Sequence, residues 1–180
     1  PILTTQALDQ ATYIRRPDLG RKLSKESREY LMEHGQKGAT VQIIVSNGLS
    51  ATAIEENAED VYLSLCQSLE LLNIPYAPTF YFERGRVGLM DEIGELLQPE
   101  VILYFIGERP GLLSAESMSV YMCYQPNATT IESDRLVVSN IHRNGLPPVE
   151  AGAYISTIVE KMLHYKASGV KLLEAEKKSK

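Results

Sequence analysis

The sequence has few of the residues on which metal and disulfide sites are built. Its 180 residues include two cysteines and three histidines. Cys66 lies in a helical pattern and Cys123 in an apolar run far along the chain, so buried, reduced thiols are favoured over a disulfide. His34, His142 and His164 lie in separate segments, without the converging ligands that a metal ion needs. The sequence therefore predicts no metal site.

Long apolar runs and a surplus of positive charge are also absent. No run approaches the roughly 20 apolar residues that cross a bilayer, and the formal net charge is −5. Proteins that bind nucleic acids usually carry a strong basic surplus. We therefore expect neither a membrane span nor a nucleic acid partner. With 44% hydrophobic residues, the chain has enough apolar side chains for a folded core, and we expect a soluble protein.

The sequence motifs of common catalysts are missing too. There is no glycine pattern of a dinucleotide or phosphate site. Ser46 and Ser50 flank Gly48, but neither stands in a Gly-x-Ser-x-Gly frame. Both cysteines have apolar neighbours, which make a thiol less reactive. We therefore predict no catalytic residue in this chain and favour a role in binding a ligand or a partner.

The most informative stretch is an apolar run and the turn that follows it. Residues 101–106 are six apolar residues without a polar break, which is typical of a strand buried on both faces of a largely parallel sheet. The Gly-Glu-Arg-Pro-Gly turn follows at residues 107–111. Its two glycines permit backbone angles closed to other residues, and its proline fixes its own φ. In open α/β sheets, ligands bind beyond the carboxyl ends of the strands. Glu108 and Arg109 are therefore candidates to contact a ligand, and a solvated turn with two surface charges is the alternative.

Alternating strand and helix patterns predict an α/β fold. Predicted strands cover residues 41–45, 77–83, 101–106 and 120–124, another apolar segment covers 135–141, and predicted helices cover 24–34, 54–72, 85–94 and 149–168. Pro75 and Pro78 flank the second strand and favour an edge position for it. We further expect Gly169 to end the last helix, with a short strand at 170–172 and a frayed charged tail behind it.

The first part of the chain differs from the rest in being polar, with only helical patterns. We therefore predict a small helical N-terminal appendage at residues 1–38, including a helix at residues 5–13. Residues 39–180 are predicted to form an α/β domain with a Rossmann-like, mainly parallel sheet flanked by helices.

The loop at Gly48 supports a different functional hypothesis. It joins a strand to a helix, and such a loop points backbone N–H groups outward at the helix start, which suits an anion. One glycine is not a phosphate fingerprint, and most such loops are only turns. A stand-alone α/β module that binds a small anion or nucleotide at the Gly48 helix start is therefore the alternative function.

Six short motifs occur in the order found in the small subunit of ethanolamine ammonia-lyase, and the chain resembles that family over nearly its whole length. They are Arg16-Pro17-Asp18-Leu19-Gly20-Arg21, Asn47-Gly48-Leu49-Ser50-Ala51, Asp91-Glu92-Ile93-Gly94, Ile106-Gly107-Glu108-Arg109-Pro110-Gly111-Leu112, Ser139-Asn140-Ile141 and Ser168-Gly169-Val170-Lys171-Leu172. The fourth motif is the most specific.

The resemblance implies a radical carbon–nitrogen lyase that depends on adenosylcobalamin (coenzyme B12) and converts ethanolamine to acetaldehyde and ammonia. It implies a hetero-oligomer in which a large TIM-barrel subunit holds the substrate, while the domain at residues 39–180 caps the cofactor. It also implies a cytoplasmic location, in the bacterial microcompartment of ethanolamine degradation. Because such a cofactor carries the difficult chemistry itself, a chain without a catalytic set fits this role.

Carried over position by position, the family's cobalamin contacts fall on Val87, Glu108 and Val137. Glu108 is expected to accept a hydrogen bond from a corrin amide or a ribose hydroxyl. The alternative is an ion pair, either internal with Arg109 or with a basic residue of the partner subunit. For Val87 the alternative is a core position. Many members of the family have cysteine where this chain has Val137, so the contact is retained here if the main chain makes it and is lost if the thiol makes it.

Overall fold

The computed structural model describes residues 1–109 and 116–180. Within them the strands are β1 (Ile2–Thr4), β2 (Val41–Ser46), β3 (Phe80–Glu83), β4 (Val101–Gly107), β5 (Met118–Tyr124) and β6 (Arg135–Ile141). The α-helices are α1 (Gln10–Arg15), α2 (Lys25–His34), α3 (Ala51–Leu71), α4 (Leu89–Leu97), α5 (Pro148–Tyr165) and α6 (Gly169–Lys178). In the sequence, Ser114 with Ser117 resembles a helix start before Met118, and Ser114 lies outside the described residues.

The six strands form one mixed sheet in the order β1-β3-β2-β4-β5-β6. The pairs β1–β3, β3–β2 and β2–β4 are parallel, whereas β4–β5 and β5–β6 are antiparallel. The α/β class is confirmed, but the prediction of a mainly parallel, Rossmann-like sheet is wrong about the strand directions. The reason lies in the connections 108–117 and 125–134, which are shorter than the dozen or so residues that a parallel crossover needs.

The central strand β4 is buried along its whole length, as its apolar run predicts. Leu103 and Phe105 belong to a hydrophobic cluster with α3 and α5 on one face of the sheet. Tyr104 belongs to a second cluster on the other face, which includes α4 and the N-terminal segment. Since each fully buried side chain of this size contributes about 1.5–3 kcal/mol, β4 contributes to the stability of both layers.

The N-terminal segment is not purely helical, so that part of the prediction is wrong. Ile2–Thr4 forms the edge strand β1 and pairs with β3, and the helix predicted at residues 5–13 begins only at Gln10. β3 is therefore an inner strand rather than the predicted edge. A three-residue strand is too short to show a hydrophobic period. Leu23 and Leu31 pack in the same cluster as Tyr104, and the division of the chain at residue 38 stays a prediction.

The C-terminal segment is a helix where the sequence predicts a short strand and a frayed tail. α5 ends at Tyr165, and Gly169 begins α6 instead of ending the preceding helix. Gly169 has φ +61, a left-handed conformation that glycine adopts without a side-chain clash. Leu172 is buried against the first cluster, so the predicted strand at residues 170–172 is wrong because an isolated apolar pair fits either period.

Candidate functional site

An open groove of about 1130 Å³ lies between the N-terminal segment, the start of α4, and the strands β5 and β6. Five acidic and five basic residues of the described chain line it, so the groove carries no formal net charge. Val87, Leu136 and Val137 add apolar surface. A groove of this composition suits a large ligand that is itself both apolar and polar, rather than a small ion.

Two of the three residues predicted to contact the cofactor line this groove. Val87 lies just before α4 and is half-buried against the second hydrophobic cluster. Val137 lies on β6, and its side chain is 49% exposed. Val87 therefore combines its alternative role, core packing, with a place at the groove. Nothing in the sequence spacing of the two valines indicates that they share a surface.

Glu108 is linked to the groove by a hydrogen bond to one of the residues that line it. It follows β4, and the Tyr121 hydroxyl donates a hydrogen bond to Glu108 Oε1 over 3.4 Å. Tyr121 lines the groove and lies directly opposite Val137 in the β5–β6 pairing. The structure thus brings the three predicted positions into one region. Tyr121 connects Glu108 to the groove, and the sequence did not indicate this contact. An aromatic residue in an alternating strand pattern offers no signal of such a role.

The Glu108 carboxylate forms no ion pair with Arg109 or with any other described residue. Its backbone N–H donates to the Ser117 carbonyl over 3.0 Å, which places the start of the turn. Arg109 is exposed, whereas Pro110 and Gly111 of the signature turn lie outside the described residues. The alternative of an internal Glu108–Arg109 pair therefore has no support in the described chain.

An ion pair joins the α4 and β6 walls of the groove. Arg135 Nη2 donates to Asp91 Oδ2 over 2.6 Å. Asp91 Oδ1 and Arg135 Nε are buried, and neither has a hydrogen-bond partner among the described residues. Burial raises the pKa of Asp91, and Arg135 opposes this shift. Asp91 begins one of the family motifs and Arg135 begins β6, but only the fold shows that they meet.

A second set of contacts holds the N-terminal segment against α4. Glu92 Oε2 accepts from the Leu23 backbone N–H over 3.2 Å, and Glu92 Oε1 lies 3.4 Å from Arg28 Nη1. The Arg86 guanidinium lies 4.3 Å from the centre of the Tyr13 ring and donates to the Tyr13 carbonyl over 2.6 Å. The N-terminal segment is therefore a structural wall of the groove.

Strand β6 changes its register next to the groove. The pairing of β5 with β6 shifts between Met118 and Val120, and Asn140 has φ +59. Two hydrogen bonds close the turn that follows. One joins His142 Nε2 and Asn140 Oδ1 over 2.7 Å, and in the other the Leu146 N–H donates to the Asn140 carbonyl. Bulges of this kind bend a strand and re-aim its side chains.

The Gly48 loop uses its backbone donors internally. The Gly48 N–H donates to Ser46 Oγ over 3.3 Å, and the Leu49 N–H donates to the Gly107 carbonyl over 2.9 Å. The Ser50 N–H donates to the Asn47 carbonyl over 2.9 Å. These donors are not available to an anion, so no observation favours the anion-binding alternative.

Three further features of the described residues can be stated. No group of three or more His, Cys, Asp or Glu side chains within residues 1–109 and 116–180 is placed to hold a metal ion. Both cysteines are free and buried. Among the helices of these same residues, none combines the length and the apolar character that a bilayer crossing requires.

Fold and groove together define an α/β protein with an open, electrically balanced groove beside its sheet. The family model described as "Ethanolamine ammonia-lyase light chain (EutC)" matches residues 2–173, and the chain belongs to this family. The resemblance carried by the six motifs is thereby confirmed.

Curated relatives share the same description. The chain is 48% identical over 170 residues to the ethanolamine ammonia-lyase small subunit of Clostridium tetani, covering 94% of this chain and 58% of the relative. It is 45% identical over 168 residues to the small subunit of Lachnoclostridium phytofermentans, covering 93% and 57%. The small subunit of Listeria monocytogenes is 43% identical over 170 residues, with 94% and 58% covered. The chain thus spans less than three fifths of the length of these relatives.

Proposed function

We propose that this chain forms part of the small subunit of adenosylcobalamin-dependent ethanolamine ammonia-lyase and that its groove covers the cofactor. A large TIM-barrel subunit completes the hetero-oligomer and holds ethanolamine, which is converted to acetaldehyde and ammonia. One observation carries the proposal. Positions 87 and 137 of the family's cobalamin contacts line one groove, and position 108 is hydrogen-bonded to a residue of that groove.

The residues of the groove fit a corrin. A corrin is a broad ring with apolar faces and carboxamide arms, so it requires apolar surface beside separate donors and acceptors. Val87 and Val137 supply the apolar surface, and the balanced charges around them supply the polar groups. Arg86 Nε, Asp91 Oδ1 and Arg135 Nε lack hydrogen-bond partners in the described chain, and unpaired buried polar atoms in these walls support a site for a further polar group.

Each predicted contact has a physical role in this proposal. The Glu108 carboxylate accepts a hydrogen bond from a carboxamide N–H or a ribose hydroxyl, and Val87 packs against the ring. Among the described strands, β6 pairs with β5 on one side only, so its outer edge offers main-chain groups near Val137 for hydrogen bonding. This favours a main-chain contact at position 137. Bound adenosylcobalamin supplies the radical chemistry of the reaction.

The proposal extends to a cytoplasmic location in the bacterial microcompartment of ethanolamine utilisation and to a capping role for residues 39–180. Family membership supports both extensions.

The proposal is tested by co-expressing this chain with an ethanolamine ammonia-lyase large subunit and titrating the complex with adenosylcobalamin. Glu108→Gln keeps the shape of the side chain and removes its charge. Since a hydrogen bond to a charged group contributes about 1.5–3 kcal/mol, we expect the KM for the cofactor to rise about 10-fold or more. Glu150→Gln, on exposed α5 surface, is the matched control and leaves the KM unchanged.

The isolated chain is expected to show no deamination of ethanolamine. Full activity without a large subunit, or an unchanged cofactor KM in Glu108→Gln, contradicts the proposal.

A further inference from the structure

Tyr121 lies where the turn after β4, the strand β6 and the groove meet. Its ring lines the groove and packs against the second hydrophobic cluster. It is opposite Val137 in the strand pairing, and its hydroxyl donates to Glu108 Oε1. One side chain therefore contacts two of the three positions assigned to the cofactor.

The backbone around Glu108 is held independently of its side chain. The Glu108 N–H donates to the Ser117 carbonyl over 3.0 Å. The buried Asn57 side chain of α3 donates to the Glu116 carbonyl. These bonds place both ends of the connection between β4 and β5, and neither of them involves the Glu108 carboxylate. Within the described residues, the Tyr121 hydroxyl is the hydrogen-bond donor that reaches this carboxylate.

The Tyr121 hydroxyl remains a donor over a wide pH range. Burial of the ring, followed by the negative charge of Glu108, raises the pKa of Tyr121 to about 12. A phenol that stays protonated donates one hydrogen bond, here to one oxygen of Glu108. The second carboxylate oxygen then remains as an acceptor for another group.

We propose that Tyr121 is a positioning residue of the cofactor site, whose hydroxyl orients the Glu108 carboxylate so that its second oxygen accepts a hydrogen bond from the bound cobalamin. This inference rests on the proposed function. It assigns the groove a residue that the family's contact positions do not include, and it predicts that Tyr121 and Glu108 act as one unit.

The test uses the co-expressed complex with the large subunit and compares Tyr121→Phe, Glu108→Gln and the double variant. Tyr121→Phe keeps the ring and removes only the hydroxyl. Tyr124→Phe is the matched control, because Tyr124 lies on the same strand, packs against the opposite face, and has a hydroxyl without a hydrogen bond in the described chain. Adenosylcobalamin affinity is measured from the KM and from the visible absorption of bound cobalamin, and thermal unfolding is followed in parallel.

We expect Tyr121→Phe to weaken adenosylcobalamin about 3- to 10-fold, the range of one ordinary hydrogen bond. The kcat and the unfolding temperature should match those of Tyr124→Phe, because the ring still fills its place. In the Glu108→Gln background, Tyr121→Phe should change the affinity by less than about twofold, because the amide has no second acceptor oxygen for the hydroxyl to orient.

Two results overturn the inference while the proposed function stands. In the first, Glu108→Gln weakens the cofactor and Tyr121→Phe does not. In the second, Tyr121→Phe weakens the cofactor equally in both backgrounds, so that its effect does not pass through Glu108. A wild-type complex that fails to bind adenosylcobalamin overturns the proposed function and the inference together.

Discussion

Arg135 of β6 and Asp91 of α4 form an ion pair across the groove, with Arg135 Nη2 2.6 Å from Asp91 Oδ2. Only 14% of the Arg135 side chain and 21% of the Asp91 side chain are exposed. The remaining Asp91 oxygen and the Arg135 Nε are buried without partners in the described chain. A half-satisfied pair of this kind costs desolvation energy, so it joins the two walls of the groove without being strong evidence for added stability.

Breaking this pair from one side is expected to destabilise the fold. Arg135→Met leaves the Asp91 carboxylate buried and unpaired, and we expect a loss of about 1–3 kcal/mol in urea-induced unfolding. Adding Asp91→Leu removes the stranded charge, so the double variant should be more stable than Arg135→Met alone. Lys171→Met, which removes the exposed partner of Asp134, is the control and should cost less than about 1 kcal/mol. A double variant less stable than Arg135→Met contradicts this account.

Substitutions at Val137 distinguish a main-chain contact from a side-chain contact. Because the side chain is 49% exposed, Val137→Ala should change stability by less than about 0.5–1 kcal/mol. It should also leave the cofactor KM of the reconstituted complex near the wild-type value. Val137→Glu places an unpaired charge at the ring face and should raise that KM about tenfold or more. Val149→Glu, at an exposed position of α5, controls for the added charge. An unchanged KM in Val137→Glu removes position 137 from the cofactor site.

Two glycines with similar backbone angles should respond differently to a methyl group. Gly169 has φ +61, and an added Cβ would meet the Ser133 carbonyl oxygen. Gly38 has φ +70, with open space around the same position. Gly38→Ala should therefore cost about 1–2 kcal/mol, the conformational penalty alone. Gly169→Ala should cost about 3 kcal/mol or more because a clash adds to that penalty. Equal losses in urea unfolding would show that crowding at the start of α6 has no energetic effect.

The two thiols should be unreactive in the folded protein. Burial raises the pKa of Cys66, and it raises the pKa of Cys123 to about 11 from an ordinary value of 9.0. At pH 8 we expect an aromatic disulfide reagent to modify both cysteines only after unfolding in guanidinium. Rapid modification of either thiol in the native protein would contradict this expectation.

The same shifts predict a dependence of stability on alkaline pH. The pKa of Cys123 is higher in the folded state than in the unfolded state. Its contribution to the free energy of unfolding is therefore complete below the unfolded-state pKa, near pH 9, and is lost as the pH rises through about 11. Cys123→Ala should remove this part of the alkaline loss. Identical pH profiles for the variant and the wild type would show that Cys123 does not contribute to it.

Local patterns account for the elements that were predicted correctly. The run from Val101 to Ile106 predicts a strand with two buried faces, because none of its side chains is polar enough to favour a solvated face. The 3.6-residue spacing from Ile54 predicts α3, and Ser24 caps α2 by accepting from the Ser27 N–H. The errors arise where long-range contacts decide the outcome, as in the pairing of β1 with β3 and the docking of Leu172 in α6.

The candidate site shows the same limit. The resemblance to the family is a property of the sequence itself, and it was sufficient to predict Val87, Glu108 and Val137 as contact positions. Tyr121 lies in none of the family motifs, and an aromatic side chain in a half-buried strand is too common to indicate a function. Its role depends on the β5–β6 register, which sets it opposite Val137, and on the antiparallel return after β4, which brings its hydroxyl to Glu108.

By itself, then, the amino-acid sequence determined the α/β class, the buried centre of the sheet and membership of the ethanolamine ammonia-lyase light-chain family. Hydrophobic period and short motifs encode these properties locally. Only the tertiary structure decided the strand directions, the edge position of β1 and the groove that gathers positions 87, 121, 135 and 137. These depend on which distant segments pack together, and that choice is made by contacts between residues that local spacing does not relate.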